Sequence, residues 1–576
     1  MRRAIALIAA VTVGPFAVVA VSATTSGAAA GQVYYVAPNG SDSAAGTQAA
    51  PWASIARAQT AVQSGDTVYF RGGTYAYTRA NSGCSSRTAR VDAITLNKSG
   101  TSGNPIRYWA HPGEKPVFDF SRMTDDCRIK GFSVTGSYIH LKGLEVRGVP
   151  QNNTLNAESW GIWVSGSNNV FEQIDTHHHM GTGLFINGGG GNLVLNTDSH
   201  DNYDLRSSDG PGENADGFGS HYTPAGRPAN VFRGCRAWWN ADDGFDLIST
   251  YSPVTIEHSW AWRNGYVPGT TTSSGNGAGF KVGGFGAEWD SGAVKHTVRF
   301  SVAFANKAAG FYSNHHPVAN DYFNNTGYAN RPNFDMRGID SSGAAVGRGN
   351  LRNNIAYSGT ATSNMNGTNA SYNSWNLGIT LSDAQFQSVS TSGWDAPRQT
   401  DGSLPVLPHL RLAAGSTLID KGTNLGLPYN GAAPDLGAFE SGSTPPPSTR
   451  RYEAETAPAV CQGTIDSNQA GFSGSGFCNG TNAVGAYAQF TVDVSAAGTA
   501  TFAIRFANGA SSGARPANVI VNGATVGTVS FEPTGAWTTW VTKTLTVSLN
   551  TGNNTIRLDP TTSAGLPNVD YLDANG

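Results

Sequence analysis

Four aspartates stand close together in the chain: Asp216, and then Asp242, Asp243 and Asp246 within Trp239-Asn240-Ala241-Asp242-Asp243-Gly244-Phe245-Asp246. Carboxylates this crowded cannot all stay ionised without a strong counter-charge. Oxygen ligands carried on turns suit Ca²⁺, which takes roughly six to eight of them, whereas Zn²⁺ calls for His or Cys. An Asp-Gly pair alone is an ordinary turn former. Three aspartates this close, with a fourth at the same phase of a repeat, are more than turns. Lys281 follows in Gly277-Ala278-Gly279-Phe280-Lys281-Val282-Gly283-Gly284, whose glycines predict a bare, open surface around it. A lone exposed lysine is usually only solvated. Beside a metal-binding carboxylate cluster it is a candidate base. The chemistry that fits is β-elimination next to a uronate carboxylate. A cation on that carboxylate stabilises charge developing at C5, and a lysine with lowered pKa takes the proton.

These residues need a scaffold that stacks distant segments. Short apolar strands recur as Gly161-Ile162-Trp163-Val164, Gly183-Leu184-Phe185-Ile186, Gly217-Phe218, Gly244-Phe245-Asp246-Leu247, Gly279-Phe280-Lys281-Val282 and Gly310-Phe311-Tyr312. Successive glycines are 22, 34, 27, 35 and 31 residues apart. That spacing fits coils of a parallel β-helix carrying insertions of uneven length, and is too short for propeller blades. Residues two apart in a strand share a face, so Phe245 and Phe280 point inward while Asp246 and Lys281 point outward. Adjacent coils lie about 4.8 Å apart, which puts Lys281 beside the aspartates if its coil follows theirs. Ile55, Ala58, Ala61 and Val62 predict an amphipathic helix that plugs the open end of the stack.

Glu213-Asn214-Ala215-Asp216-Gly217-Phe218, the Asp242 segment and the Lys281 segment resemble, in order and spacing, the three signatures of polysaccharide lyase family nine. That resemblance covers most of residues 31–440. It implies a right-handed parallel β-helix that binds its catalytic calcium through Asp216, Asp242, Asp243 and Asp246 and uses Lys281 as base. It also implies cleavage of α-1,4-linked polygalacturonate, an acidic plant cell-wall polysaccharide, by β-elimination. The chain departs from the family at His221 and at Asn314-His315-His316, where His221, Asn314 and His315 are candidate substrate contacts. Since the family includes rhamnogalacturonan lyases, these departures leave the backbone cleaved open.

Residues 1–30 carry Arg2 and Arg3, an apolar run and small residues up to Ala30, the layout of a secretory leader. No other stretch is apolar for the roughly 20 residues of a spanning helix, so no membrane partner is expected. Without the leader, 35 basic and 40 acidic residues leave a formal charge of −5. Such a chain lacks the basic field that attracts nucleic acid, and needs a bridging cation to hold a polyanion. The five cysteines suggest pairs Cys84 with Cys127 and Cys461 with Cys478, with Cys235 left as a buried thiol.

The Pro-rich segment at 443–449 separates a β-helix at 31–442 from a β-sandwich at 450–576, making the chain all-β. Tyr452-Glu453-Ala454-Glu455, Trp537-Thr538-Thr539-Trp540 and Pro567-Asn568-Val569-Asp570-Tyr571-Leu572 resemble carbohydrate-binding modules of families six and thirty-five. That resemblance implies a structural calcium at Glu453, Glu455 and Asp570, and a sugar site using Asn568 with Tyr487 or Trp537.

Two rival readings are weaker. A hydrolase would use paired carboxylates and no lysine. Its Gly-His-Gly segment is missing, and Arg128-Ile129-Lys130 precedes the aspartates instead of following them. A non-catalytic polysaccharide-binding β-helix would use the acidic cluster for structural calcium alone. His177-His178-His179 reads as a poor chelate, because neighbours in a strand alternate faces. An end-capped solenoid gives no reason to expect more than a monomer.

Overall fold

Strand after strand places an aromatic or branched side chain inward, and the coils stack so that like meets like. Phe218, Phe245, Phe280, Phe311 and Phe334 form one continuous inner stack with ring centroids 4.9, 4.9, 5.0 and 4.7 Å apart. All five are fully buried. Spacing at the width of one coil makes each ring both filler and register mark, beyond the apolar area it removes from water. This is a computed structural model, and it describes residues 31–154, 158–442, 450–494, 498–510 and 513–575. The expected leader at 1–30 and linker at 443–449 lie outside the described residues.

The first part of the chain winds through three parallel sheets of twelve, ten and ten strands. The first sheet runs from Val33–Val36 to Asn369–Ser371, the second from Arg90–Leu96 to Thr362–Ser363, and the third from Gly73–Ala76 to Ile355–Tyr357. In the second sheet Ile162 pairs with Leu184, Leu184 with Phe218, Phe218 with Phe245, Phe245 with Phe280, and Phe280 with Phe311. Those offsets match the glycine spacings of the sequence. Every repeat unit is one coil. The expected helix forms at Ile55–Ala61, with Ser54 Oγ accepting from Arg57 N, and it turns Ile55, Ala58 and Gln59 into the core. Its Ser N-cap and apolar face hold it over the end of the stack.

Between the third and second sheets five successive coils turn at a buried asparagine, Asn202, Asn240, Asn264, Asn306 and Asn330. The Asn240 side chain donates to Asn264 Oδ1 (3.0 Å), Asn264 to Asn306 (2.9 Å) and Asn306 to Asn330 (2.9 Å). Each amide also serves the backbone, as Asn264 does by accepting from Asn240 N and donating to Ala237 O. A turn buried under neighbouring coils has no water for its N–H and C=O groups, and the ladder supplies the partners. Asn264→Ala is therefore expected to cost about 2–4 kcal/mol, orphaning Asn240 N and breaking the amide ladder between Asn240 and Asn306. A denaturation midpoint in urea within error of wild type would contradict that role.

The outer face of the third sheet carries a second stack, His200, Trp238, Trp262 and Phe304. Residues 386–438 cross it and bury Trp394, Leu410, Leu412 and Leu436 against Trp260, Trp262 and Phe304. Cys84–Cys127 and Cys461–Cys478 form disulfides and Cys235 is buried and free, as the sequence suggested. From Arg450–Glu453 to Asn568–Asn575 the chain forms two antiparallel sheets of six and five strands around a core that includes Phe490, Phe502, Ile556 and Leu572.

Candidate active site

The outward row of the second sheet reads, coil by coil, Trp163, Phe185, Gly219, Asp246, Lys281, Tyr312 and Asp335. At Gly219 a side chain would collide with Phe185, whose ring leans across the gap. The row just before these strands runs Asp216, Asp243, Ala278, Ala309 and Pro332, because Gly217 N donates to Asp243 O, Gly244 N to Ala278 O, Gly279 N to Ala309 O and Gly310 N to Pro332 O. The two rows meet at the candidate centre.

Lys281 follows the aspartates directly. Its Nζ lies 3.0 Å from Asp246 Oδ2 and 3.1 Å from Asp243 Oδ2. The expectation of an open surface is corrected here: the Lys281 side chain is 14% exposed, because the ion pairs draw it down among the carboxylates. Carboxylate oxygens of Asp216, Asp242 and Asp243 all lie within 4.8 Å of one another. Asp246 stands slightly apart, between Lys281 and His221, whose Nε2 is 3.6 Å from Asp246 Oδ1. Backbone amides set the ring: Asp242 accepts from Asn214 N and Asn276 N, Asp243 from Ala278 N, and Asp216 from Asp243 N. Insertions in two coils thus place the donors that aim three side chains at one point.

The electrostatics describe a site short of positive charge. Burial, opposed by Lys281 and reinforced by Asp242 and Asp246, pushes the Asp243 carboxyl up to about 7. Burial and the three neighbouring aspartates push Asp216 well above the carboxylate range. Burial would also raise Asp246, but Lys281 and His221 outweigh it and hold that group low. Burial alone would lower the Lys281 ammonium, yet the four aspartates overcome this and hold it well above its ordinary value. Asp243 Oδ2 receives no hydrogen bond. Its one cationic neighbour is Lys281, which it shares with Asp246, so an all-oxygen donor set this short of positive charge fits a hard divalent cation.

A carboxyl whose folded pKa is raised binds more protons folded than unfolded, so its contribution to stability falls as pH rises. With a chelator present, the melting temperature is expected to drop between about pH 4 and pH 7, the window set by Asp243. Calcium should reverse the drop, and more at pH 8 than at pH 5. Equal calcium shifts at both pH values would contradict this account.

His221 is buried against Phe185 and beside Asp246. Asn314 and His315 line a cavity of about 530 Å³ with Lys281 and Tyr312, though the Asn314 amide also donates to Gly283 O and so steadies the turn after Lys281. His316 is buried and accepts from Gly284 N. In the His177-His178-His179 run the Nδ1 atoms of His177 and His178 lie 2.6 Å apart, but His179 is in the interior, so the three do not form one chelate. Stacking does what the run cannot, since strand pairing brings His177 to His200, with Asp175 on the same face two residues before His177. Sequence reasoning missed the aromatic cluster of Trp160, Trp163 and Phe185, with Arg128 and Lys130 over its rings. The outward phase of Trp163 and Phe185 in the repeat was the available signal.

In the sandwich, Glu453, Glu455 and Asp570 gather around one loop. Ser473 Oγ donates to Glu453, Ser473 N to Asp570 and Ser475 N to Glu455. Glu453 Oε2 and Glu455 Oε2 are buried without a partner. Burial pushes Glu453 to about 7 and Asp570 to about 6. This set also fits a cation, although Asp570 additionally pairs with Arg505 at 2.5 Å. Trp537 packs beside Gly509 and Arg515, near the pairing of Ala507 with Asn568. Tyr487 is not part of that group and lies under the Arg557 guanidinium.

Residues 34–364 match the family model described as Pel9A-like, right handed beta helix region. This chain belongs to the Pel9A-like β-helix family. Residues 453–575 match the model for carbohydrate binding module (family 6). Pectate lyase L of Dickeya chrysanthemi is 39% identical over 424 residues, which span 72% of this chain and 92% of that protein. Among solved structures, pectate lyase Pel9A is 38% identical with a TM-score of 0.60, covering 71% of this chain and 96% of its own. A rhamnogalacturonan lyase is 36% identical with a TM-score of 0.63, covering 67% and 98%. The chain is a polysaccharide lyase, and its right-handed parallel β-helix is the fold of its family.

Proposed function

We propose that the protein is a secreted, calcium-dependent pectate lyase that cleaves α-1,4-linked polygalacturonate by β-elimination. The observation that carries this reading is the seat of Lys281 Nζ, 3.0–3.1 Å from two aspartates and beside the Asp216, Asp242 and Asp243 group. These three aspartates, with Asp246 next to them, would hold the calcium. Bound there, calcium supplies charge that offsets the carboxylate field on Lys281 and polarises a uronate carboxylate. Lys281 Nζ, freed to lose its proton, takes the proton from C5. The C5 electron pair then forms the double bond to C4, and the bond from C4 to the glycosidic oxygen breaks. Asp246 holds the ammonium so formed, and His221 braces Asp246. Asn314 and His315 lie where the sugar chain would pass.

We assign Glu453, Glu455 and Asp570 to a structural calcium in the sandwich module, and Asn568 with Trp537 to its sugar contact. The module would keep the enzyme on acidic plant cell-wall polysaccharide, as a monomer. A leader at 1–30 and a carbohydrate-binding module support action outside the cell. Rhamnogalacturonan is the second substrate to test, because the rhamnogalacturonan lyase structure is as similar as the pectate lyase one.

The test is the ultraviolet absorbance of unsaturated uronates formed from polygalacturonate, with calcium and then with excess chelator. A rise that the chelator stops is expected. A rise on rhamnogalacturonan alone would move the substrate, and no rise on either polymer would overturn both substrate assignments.

A further inference from the structure

The cavity at Lys281 is not closed at its far side. Its floor continues from Asp243 through Ala278 and Ala309 to Pro332, one residue per coil and in register. Three coils at about 4.8 Å make this a path of roughly 14 Å. Alanines at the two middle positions leave the floor flat. Beside it Arg331 N donates to Ala308 O, setting Arg331 at the end of the path. Beyond Arg331 and Pro332 a second cavity of about 620 Å³ opens, lined by those two residues and by Ser358, Gly359, Thr360 and Ser363. Arg331 therefore stands where two hollows join into one groove.

Its charge is uncommitted. Lys281 and Arg331 are the cationic residues lining the first cavity, and Lys281 is spent on Asp243 and Asp246. Arg331 is exposed, and among the described residues its guanidinium has no ion-pair or hydrogen-bond partner. Asp335, which also lines this cavity, accepts from Arg337 N and Asn364 Nδ2 through Oδ1 and forms no ion pair with Arg331. A polyanion leaving the aspartate cluster across this floor meets a free planar guanidinium, the group best matched to a carboxylate.

We propose that Arg331 binds a uronate carboxylate of the polysaccharide at a subsite remote from the bond being broken, and so selects chains with a free carboxylate there. This deepens the lyase reading and rests on it. The group touches substrate but no reacting atom, so its loss should weaken binding and spare the chemical step.

The test compares wild type, Arg331→Ala, Arg331→Gln and Arg331→Lys in the full chain with calcium, on unesterified polygalacturonate and on rhamnogalacturonan. Arg331→Ala and Arg331→Gln are expected to raise KM by about tenfold on the polymer that wild type cleaves, with kcat within about twofold. Arg331→Lys should recover part of the loss, since it keeps the charge without the bidentate fork. KM in Arg331→Ala and Arg331→Gln within about twofold of wild type, or a fall in kcat at unchanged KM, would overturn the assignment while leaving the lyase reading intact. A wild type inactive on both polymers would overturn both.

Discussion

Lys281→Met is expected to lower kcat by about 10²–10⁴-fold, the range removed with a general base, while KM changes little. Methionine keeps most of the unbranched stem and loses the amine. The loss should persist at saturating calcium, since the residue is a proton acceptor in this account and not a ligand. Removal of the ammonium also strips the counter-charge from Asp243 and Asp246, so the chelated variant should melt below wild type and regain stability when calcium is added. Activity within tenfold of wild type, in a variant that folds with calcium, would end the case for Lys281 as the base.

The second large effect belongs to Asp243. Asp243→Asn keeps an oxygen to accept from Ala278 N but removes a charge from the ring. At a fixed, limiting calcium concentration activity should fall by about 10²-fold or more, and excess calcium should recover part of it. Stability without metal moves the other way. Because burial lifts the Asp243 carboxyl to about 7, its ionised form burdens the chelated protein at pH 8, and the amide relieves that burden. The expected pair of results is a higher melting temperature in chelator and a smaller calcium-induced rise. A variant that loses stability in chelator and keeps full activity would show that Asp243 is a structural residue and no ligand.

Much of this architecture is readable without coordinates because a β-helix repeats. Gly183, Gly217, Gly244, Gly279 and Gly310 mark the coils, and the period of two assigns Phe280 inward and Lys281 outward. Local chemistry likewise marks Asp242, Asp243 and Asp246, since they sit within five residues of one another. The helix at Ile55–Ala61 and both disulfides follow from spacing and count.

Contacts between coils separated by long insertions are a different matter. Residues 247–279 intervene between Asp246 and the strand that carries Lys281, and only strand pairing at Phe245 and Phe280 shows that no other coil comes between. Whether Lys281 would lie open or mostly buried depended on two ion pairs, so its glycine-rich surroundings misled. His177 and His200, 23 residues apart, meet for the same reason. Arg331 has no local signature at all, and its place at the end of the groove comes from the floor formed by Asp243, Ala278 and Ala309 in three coils. The repeat, the inward and outward faces and the charged groups are legible along the chain, because they depend on neighbours one or two residues away. The tertiary structure decided which charges share a site and where the groove leads, because side chains brought within a few ångströms by stacking carry no record of that proximity in their spacing along the chain.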